Sequence, residues 1–171
     1  AGHETKPPDA AEGAGAGITA IGDSVILGAT KALEERLPGI HIDGLVGRQM
    51  THAEEVILDL KERKLLGSRV ILELGSNGSF SKKTLAGVMK QLEDAELIVI
   101  VNAKVPKPWE KSVNDMLAKA ADDYPNVVLV DWNKASEGQS SLFAKDGVHL
   151  KSEGAKLYAS LIAEALGHRE A

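Results

Sequence analysis

The sequence predicts an α/β domain in which a five-stranded parallel sheet is covered by helices on both faces. Short continuous apolar runs alternate along the chain with longer segments of helical periodicity, and such runs are typical of strands buried on both sides. Because right-handed helical crossovers connect parallel strands, this alternation favours a parallel sheet. The predicted strands span residues 17–22, 40–46, 69–74, 97–102 and 127–131.

Helices are predicted between and after these strands, at residues 25–37, 51–66, 82–93, 109–123 and 152–166. In the second helix, Ala53, Ile57 and Leu60 recur at helical spacing, with acidic residues on the opposite side. In the last helix, Ser152 is the predicted N-cap and Gly167 the predicted C-terminal stop. A chain of 171 residues suits one domain.

Residues 1–16 are predicted to form a flexible linker, and residues 17–171 the folded domain. The first segment contains two adjacent prolines and several glycines and has no apolar periodicity, which is typical of a tether. Its glycines do not predict a dinucleotide-binding loop, because such a loop follows a strand and opens a helix.

The composition excludes several classes of function. A formal charge of −5 argues against a nucleic-acid partner. The absence of cysteine excludes disulfides, thiolate metal sites and a cysteine nucleophile. The five histidines show no ligand-like spacing and no phosphate-binding G-x-x-x-x-G-K-[ST] loop occurs, so we expect no metal and no cofactor. No apolar run approaches the ~20 residues that span a bilayer.

Small and polar residues follow the first three predicted strands, at the sheet edge where ligands bind. Ser24 ends Gly22-Asp23-Ser24, a turn that can present a serine hydroxyl beside backbone amides. Gly47 follows the second strand with an unhindered N–H, and Asn77 follows the third with an uncharged amide donor. The alternatives are a helix cap at Asp23 or Ser24 and ordinary turns at Gly47 and Asn77.

Gly44 competes with Gly47 as the ligand-facing glycine, but it lies within the second strand pattern. Near the C terminus, Asp146-Gly147-Val148-His149 leads into the last predicted helix. This spacing allows the Asp146 carboxylate to accept from His149 Nδ1–H, which leaves Nε2 free to take a serine proton. The alternative is a capping turn followed by a surface histidine.

These motifs together favour a serine-dependent acyl-transfer domain, because a serine, two candidate oxyanion donors and an Asp/His pair fall at one expected sheet edge. They resemble the blocks of the SGNH (GDSL-type) hydrolase superfamily over about residues 17–167. That resemblance implies a flavodoxin-like, three-layer α/β/α sandwich. It also implies that Ser24 is the nucleophile and that Asp146 and His149 activate it.

The same resemblance implies an oxyanion hole made of Ser24 N–H, Gly47 N–H and the Asn77 side chain. Two positions depart from the superfamily pattern. Val25 replaces the leucine of the GDSL name, which is a conservative change. Gly78 stands where many superfamily esterases carry aspartate, which weakens assignment to the ordinary esterase branch.

A narrower resemblance involves residues 20–25, 46–49, 105–110 and 146–150, which are similar to the extracytoplasmic domain of OatA-type peptidoglycan O-acetyltransferases. It implies transfer of an acetyl group through acetyl-Ser24 to the C6 hydroxyl of muramoyl residues, with acetylesterase activity when water is the acceptor. The implied partners are peptidoglycan or a related glycan, and an upstream membrane acyltransferase domain that supplies the acetyl donor.

That family also implies an extracytoplasmic location, at the cell surface, as the soluble domain of a membrane-anchored bacterial protein. Two alternatives stay open: a secreted SGNH carbohydrate esterase or lipase-like hydrolase, and a non-catalytic binding module. Trp109 either stacks on an acceptor sugar or anchors the fourth helix in the core, and the second interpretation is favoured.

Overall fold

The computed structural model describes residues 2–3 and 13–167, and a six-stranded sheet runs through its centre. In space the strands follow the order β1-β3-β2-β4-β5-β6, with β1 antiparallel to β3 and the other neighbours parallel. The five parallel strands confirm the predicted sheet, in the strand order of flavodoxin-like folds. The strands are β1 (Gly2–His3), β2 (Ile18–Gly22), β3 (His41–Leu45), β4 (Arg69–Glu73), β5 (Leu97–Val101) and β6 (Val127–Val130).

Helices cover both faces of this sheet, so the predicted three-layer architecture is confirmed. Within the described chain they are α1 (Ser24–Gly28), α2 (Thr30–Arg36), α3 (Ala53–Glu62), α4 (Lys82–Gln91), α5 (Glu110–Asp123), α6 (Trp132–Ala135) and α7 (Ser152–Ala165). One core cluster joins the sheet to α1, α2, α6 and α7, and a second joins the opposite face to α3, α4 and α5.

Alternate residues of β2, β4, β5 and β6 supply the two core clusters. In β5, Val99 and Val101 pack in the first cluster, whereas Ile98 and Ile100 pack in the second. Both faces of the strand are therefore buried, which explains why the strands appear in the sequence as unbroken apolar runs.

The first predicted helix, 25–37, is interrupted at Ala29 and becomes α1 and α2. Ala29 has φ −102° and ψ 1°, and its N–H donates to Ile26 O three residues back, at 3.0 Å. A single apolar periodicity runs across the interruption, which is why the sequence pattern does not reveal it.

The last helix begins one residue earlier than a serine cap would place it. Lys151 is the N-cap, with an extended backbone and a carbonyl that accepts from Ala155 N at 2.8 Å. The N-cap assignment of Ser152 is therefore wrong. Gly167 follows the helix with φ +88°, a left-handed conformation that suits glycine, as predicted.

The described parts of the predicted linker lie against the domain. Gly2–His3 pair with β3, and Gly15 N donates to Pro38 O at 2.8 Å. Residues 1 and 4–12 lie outside the described residues, so the flexible linker stays a prediction. None of the helices in the described ranges combines the length and the apolar character needed to cross a membrane.

Candidate active site

The turn after β2 and the loop before α7 meet at the carboxyl edge of the sheet, where a chain of hydrogen bonds joins three side chains. Ser24 Oγ lies 2.9 Å from His149 Nε2, and His149 Nδ1 lies 2.5 Å from Asp146 Oδ2. The structure thus brings together the three residues that the sequence singled out, across 125 positions of chain.

The loop that carries Asp146 and His149 is both a tight turn and an Asp/His pair. Asp146 Oδ1 accepts from Val148 N and His149 N, each at 2.9 Å, while Oδ2 contacts the imidazole. Gly147 has φ +72°, a conformation that glycine adopts without strain. The capping-turn alternative and the Asp/His pair therefore describe the same arrangement.

The hydrogen bond from His149 and the two amides lower the pKa of the Asp146 carboxyl to about 2. The carboxylate is therefore ionised at neutral pH, and its position close to the surface also favours the charged form. The side chains of His149 and Asp146 are 50% and 47% exposed, so the Ser24–His149–Asp146 chain is open to solvent.

Asp23, the residue before Ser24, caps α1, so the serine hydroxyl is not needed as a helix cap. Asp23 Oδ1 accepts from Val25 N at 2.9 Å, which is an N-cap contact. The capping alternative is therefore correct for Asp23. Gly22 is required one position earlier, because a Cβ there would lie 2.8 Å from Glu73 Oε1 and 2.6 Å from Ile26 Cγ2.

Glu73, at the end of β4, supports this turn from inside the protein. It is 3% exposed, and its Oε1 accepts from Asp23 N at 3.2 Å and from Ile26 N at 3.0 Å. Burial and the neighbouring Asp23 carboxylate raise the pKa of Glu73 well above its ordinary value. Burial also raises the pKa of Asp23. Both shifts favour the protonated form, and the Glu73 and Asp23 side chains are hydrogen-bonded to each other.

Sequence reasoning missed Glu73, although one signal was available. The residue is the only acid within the apolar run 69–74, where a charge buried on both faces is costly without a partner. Its partner lies 50 positions away in the chain, beyond the reach of local patterns.

The Gly47 and Ser24 amides face the same edge of the sheet, and neither donates to any residue in the described part of the chain. Gly47 has φ +80°, and a Cβ there would meet nothing within 4 Å. Gly44, the competing glycine, instead packs closely on α1, since a Cβ there would lie 2.7 Å from Leu27. Among the described residues, the Ser24 and Gly47 amides thus have no acceptor, and both belong to turns that follow neighbouring strands of the sheet.

Asn77 joins the turns after β2, β3 and β4. Its Nδ2 donates to Asp23 Oδ2 and to Arg48 O, both at 3.2 Å, while its backbone carbonyl accepts from Gln49 Nε2 at 2.6 Å. Asn77 therefore lies where the sequence predicts it, but its amide hydrogens already have acceptors. An oxyanion bound there has to share one of these hydrogens.

A buried ion pair, also absent from the sequence analysis, holds the turn after β3. Arg48 is 8% exposed, and its Nη1 lies 3.0 Å from Asp43 Oδ1. The same nitrogen donates to Gly22 O at 3.3 Å. Because the Arg48 carbonyl accepts from Asn77, this guanidinium connects the serine turn with two candidate oxyanion donors.

Trp109 packs against the second core cluster, as the favoured interpretation has it. Its Nε1 donates to Ser76 O at 3.3 Å, directly before Asn77. Among the described residues, no three His, Asp or Glu side chains form a cluster that could hold a metal ion.

Comparisons with known proteins find relatives in sequence and in structure. The chain is 44% identical over 147 residues to the peptidoglycan O-acetyltransferase OatA of Listeria monocytogenes. That match covers 86% of this chain but only 23% of the relative, so the chain spans about a quarter of the relative's length. No protein-family model matches the chain.

Among solved structures, the C-terminal catalytic domain of Streptococcus pneumoniae OatA superposes with a TM-score of 0.78 and 30% identity. The match covers 88% of this chain and 92% of that domain, whose structure carries a methylsulfonyl adduct. The esterase EstA from Pseudoalteromonas superposes with a TM-score of 0.72 at 16% identity, over 88% of this chain and 96% of that chain. At that identity the likeness concerns the fold alone.

Proposed function

Because the chain belongs to the family of OatA-type peptidoglycan O-acetyltransferase catalytic domains, we propose that it acetylates the C6 hydroxyl of muramoyl residues in peptidoglycan. The acetyl group passes through an acetyl-Ser24 intermediate. The observation that supports this most strongly is the hydrogen-bonded chain from Ser24 Oγ through His149 to Asp146. The family match supports the acetyl group and the glycan.

In the first step, Ser24 Oγ attacks the carbonyl carbon of the acetyl donor while its proton moves to His149 Nε2. The 2.9 Å separation of these atoms is within hydrogen-bond reach for such a transfer. The carbonyl electron pair moves onto oxygen and then returns, which expels the leaving group. That group takes the proton from His149, leaving acetyl-Ser24 and a neutral imidazole.

Asp146 keeps the imidazole in the required tautomer. A carboxylate at Oδ2 accepts from Nδ1–H, so the Nε2 lone pair faces Ser24. Since the pKa of Asp146 is about 2, the carboxylate remains charged and stabilises the imidazolium that forms in each step.

The oxyanion of each tetrahedral intermediate is bound by Ser24 N–H, Gly47 N–H and the Asn77 amide. The first two amides are supported as donors by their lack of acceptors among the described residues. The third requires Asn77 to share a hydrogen that now bonds to Asp23 or Arg48. Such preorganised donors stabilise charge that develops only in the transition state.

In the second step, a glycan hydroxyl attacks the acetyl-Ser24 carbonyl and gives its proton to His149 Nε2. The intermediate collapses, Ser24 Oγ leaves, and the proton returns from His149 to the serine. Water in place of the glycan gives acetate, so the same mechanism predicts an acetylesterase activity. The half-exposed His149 and Asp146 side chains leave room for a polymeric acceptor.

We further propose that this domain lies outside the cytoplasm, attached to a membrane acyltransferase domain that supplies the acetyl donor. The length of the Listeria relative, of which this chain matches 23%, supports an arrangement with additional domains.

Mass spectrometry after incubation with an acetyl ester and a muroglycan tests the proposal. We expect acetylation on the Ser24 peptide and on the glycan, and neither in Ser24→Ala. Ser68→Ala is a matched control, because that exposed serine precedes β4 at the opposite edge of the sheet. Glycan acetylation by Ser24→Ala would refute the proposed intermediate.

The second candidate is a secreted carbohydrate esterase or lipase-like hydrolase that uses the same three residues. The solvent-open position of His149 favours this candidate to the extent that water reaches acetyl-Ser24. The same experiment separates the two, because release of acetate without any acetylated glycan indicates the hydrolase.

A further inference from the structure

A cavity of about 520 Å³ lies beside the loop that carries Asp146 and His149. Its walls are formed by the loop after β5, by the segment between α6 and α7, and by the start of α7. Lys104, Lys145 and Lys151 line it, and its described lining residues include neither aspartate nor glutamate. The cavity is therefore cationic in a chain whose net charge is −5.

The three ammonium groups have no partner among the described residues, whether by ion pair or by hydrogen bond. By contrast, Lys111 and Lys119 on α5 form ion pairs with acidic residues one turn away. The cavity lysines are thus available to a group outside the described chain, and unlike other unpaired lysines they line one cavity together.

Lys151 occupies a position that helix stability alone does not explain. It is the N-cap of the 14-residue helix α7 and makes no side-chain cap. A cation is unfavourable at this end of a helix, where the backbone dipole is positive and Ser, Thr, Asp or Asn is preferred. Local rules are commonly broken at functional sites, so this lysine points towards a role in binding.

We propose that this cavity binds the anionic arm of the glycan acceptor, through the carboxylates that a muramoyl residue carries on its lactyl-peptide substituent. The acceptor's identity rests on the proposed function. Lys145 directly precedes Asp146, and Ala144 N donates to His149 O at 2.8 Å. A carboxylate held in the cavity is therefore bound to the same loop that positions His149.

Equilibrium titration followed by NMR, without any acetyl donor, tests this inference. The probe is a muramoyl disaccharide with its lactyl-dipeptide arm, and the neutral comparison is a chitooligosaccharide of equal length. In the triple variant Lys104→Gln, Lys145→Gln, Lys151→Gln we expect about tenfold weaker binding of the muramoyl probe, since exposed ion pairs each contribute little. Added salt should weaken wild-type binding in the same direction.

The matched control removes the same charge elsewhere, at the exposed residues Lys31, Lys82 and Lys83. We expect this control to bind the muramoyl probe like the wild type. Equal affinity of the wild type for the two glycans, or an unchanged affinity in the cavity variant, would overturn the inference. So would a glycerol phosphate oligomer that binds the cavity more tightly than the muramoyl probe, because it would assign the lysines to phosphate.

Failure of this inference is distinguishable from failure of the proposed function. If the muramoyl probe shifts the NMR signals of the backbone amides around the cavity but no acetyl transfer occurs, the proposed function is contradicted and the cavity assignment stands. If acetyl transfer to the glycan occurs but the lysine variant binds the muramoyl probe like the wild type, the cavity assignment is contradicted and the proposed function stands.

Discussion

Two carboxylic acids flank Ser24 in opposite environments. Asp146 lies at the rim, 47% exposed by its side chain, where hydrogen bonds from His149 and two amides lower its pKa to about 2. Glu73 lies beneath the serine turn, 3% exposed, where burial and Asp23 raise its pKa well above the ordinary value. The first environment therefore favours the carboxylate, and the second favours the protonated acid.

The difference shows how one chemical group performs two tasks around a nucleophile. The charged Asp146 can stabilise an imidazolium, which a neutral acid cannot do. Glu73 accepts from Asp23 N and Ile26 N in an environment that disfavours a second negative charge below a developing oxyanion. Changes that remove only the charge should therefore affect the two sites very differently.

The largest effect is expected from Asp146→Asn. Asparagine keeps the size of the side chain but favours the wrong imidazole tautomer, and it cannot stabilise the imidazolium. We expect kcat for a small acetyl ester to fall about 10³–10⁴-fold. Steady-state kinetics measure this loss.

Glu73→Gln is the matched comparison, because it also replaces a carboxyl with an amide. The glutamine oxygen can accept from Asp23 N and Ile26 N, and its NH₂ can donate to the Asp23 carboxylate. We expect kcat to stay within about threefold of wild type, because the exchange of a carboxyl for an amide keeps every hydrogen bond of this side chain. A loss in Glu73→Gln as large as that in Asp146→Asn would show that Glu73 carries a functional charge.

Asn77→Ala should have the next largest effect, because Asn77 contacts both Asp23 and Arg48. Loss of one oxyanion donor typically lowers kcat about 10²–10³-fold. Asn126→Ala is the control, since Asn126 Nδ2 donates to Ala95 O near the opposite end of β5. Equal kinetics for Asn77→Ala and the control would remove Asn77 from the proposed oxyanion hole.

Stability should show the reverse asymmetry between the two acids. Glu73→Ala leaves two buried amides without an acceptor and opens a cavity, which we expect to lower the free energy of unfolding by about 2–4 kcal/mol. Asp146→Ala changes an exposed loop and should cost less than about 1 kcal/mol. Urea denaturation followed by circular dichroism compares the two. A smaller loss for Glu73→Ala than for Asp146→Ala would contradict the supporting role of Glu73.

The fold was predictable because most of the parallel strands are buried on both faces and appear as continuous apolar runs, as in β4 and β5. Chain segments around Ser24, Asn77 and Asp146 could also be identified, since each follows a strand or opens a helix and carries a distinctive residue type. These signals are local. The edge strand β1 is two residues long and lies in a segment without apolar periodicity, so no pattern indicates it.

The supporting network could not be predicted in the same way. Glu73 meets Asp23 across 50 positions, and Arg48 reaches Gly22 across 26. Such contacts depend on strand order, and several orders are compatible with the same alternation of strands and helices. The hydrogen bonds from the Asn77 side chain to Asp23 and Arg48 likewise form only because three turns meet in space.

The smallest expected effect is a difference in how the free energy of unfolding depends on pH in Glu73 and Asp146 variants. The folded protein holds the Glu73 proton well above the ordinary pKa of 4.5, whereas the unfolded chain releases it, so wild-type stability falls as pH rises above that value. Glutamine has no such proton. The stability of Glu73→Gln relative to wild type should therefore increase by up to about 1.4 kcal/mol per pH unit as pH rises above 4.5. The pKa of Asp146 is lowered, so its contribution is lost only as pH falls from 3.8 towards about 2. Asp146→Asn should accordingly show no slope over the higher range. Urea titrations of both variants measure the two slopes, and a flat line for Glu73→Gln would mean that Glu73 is ionised in the folded protein.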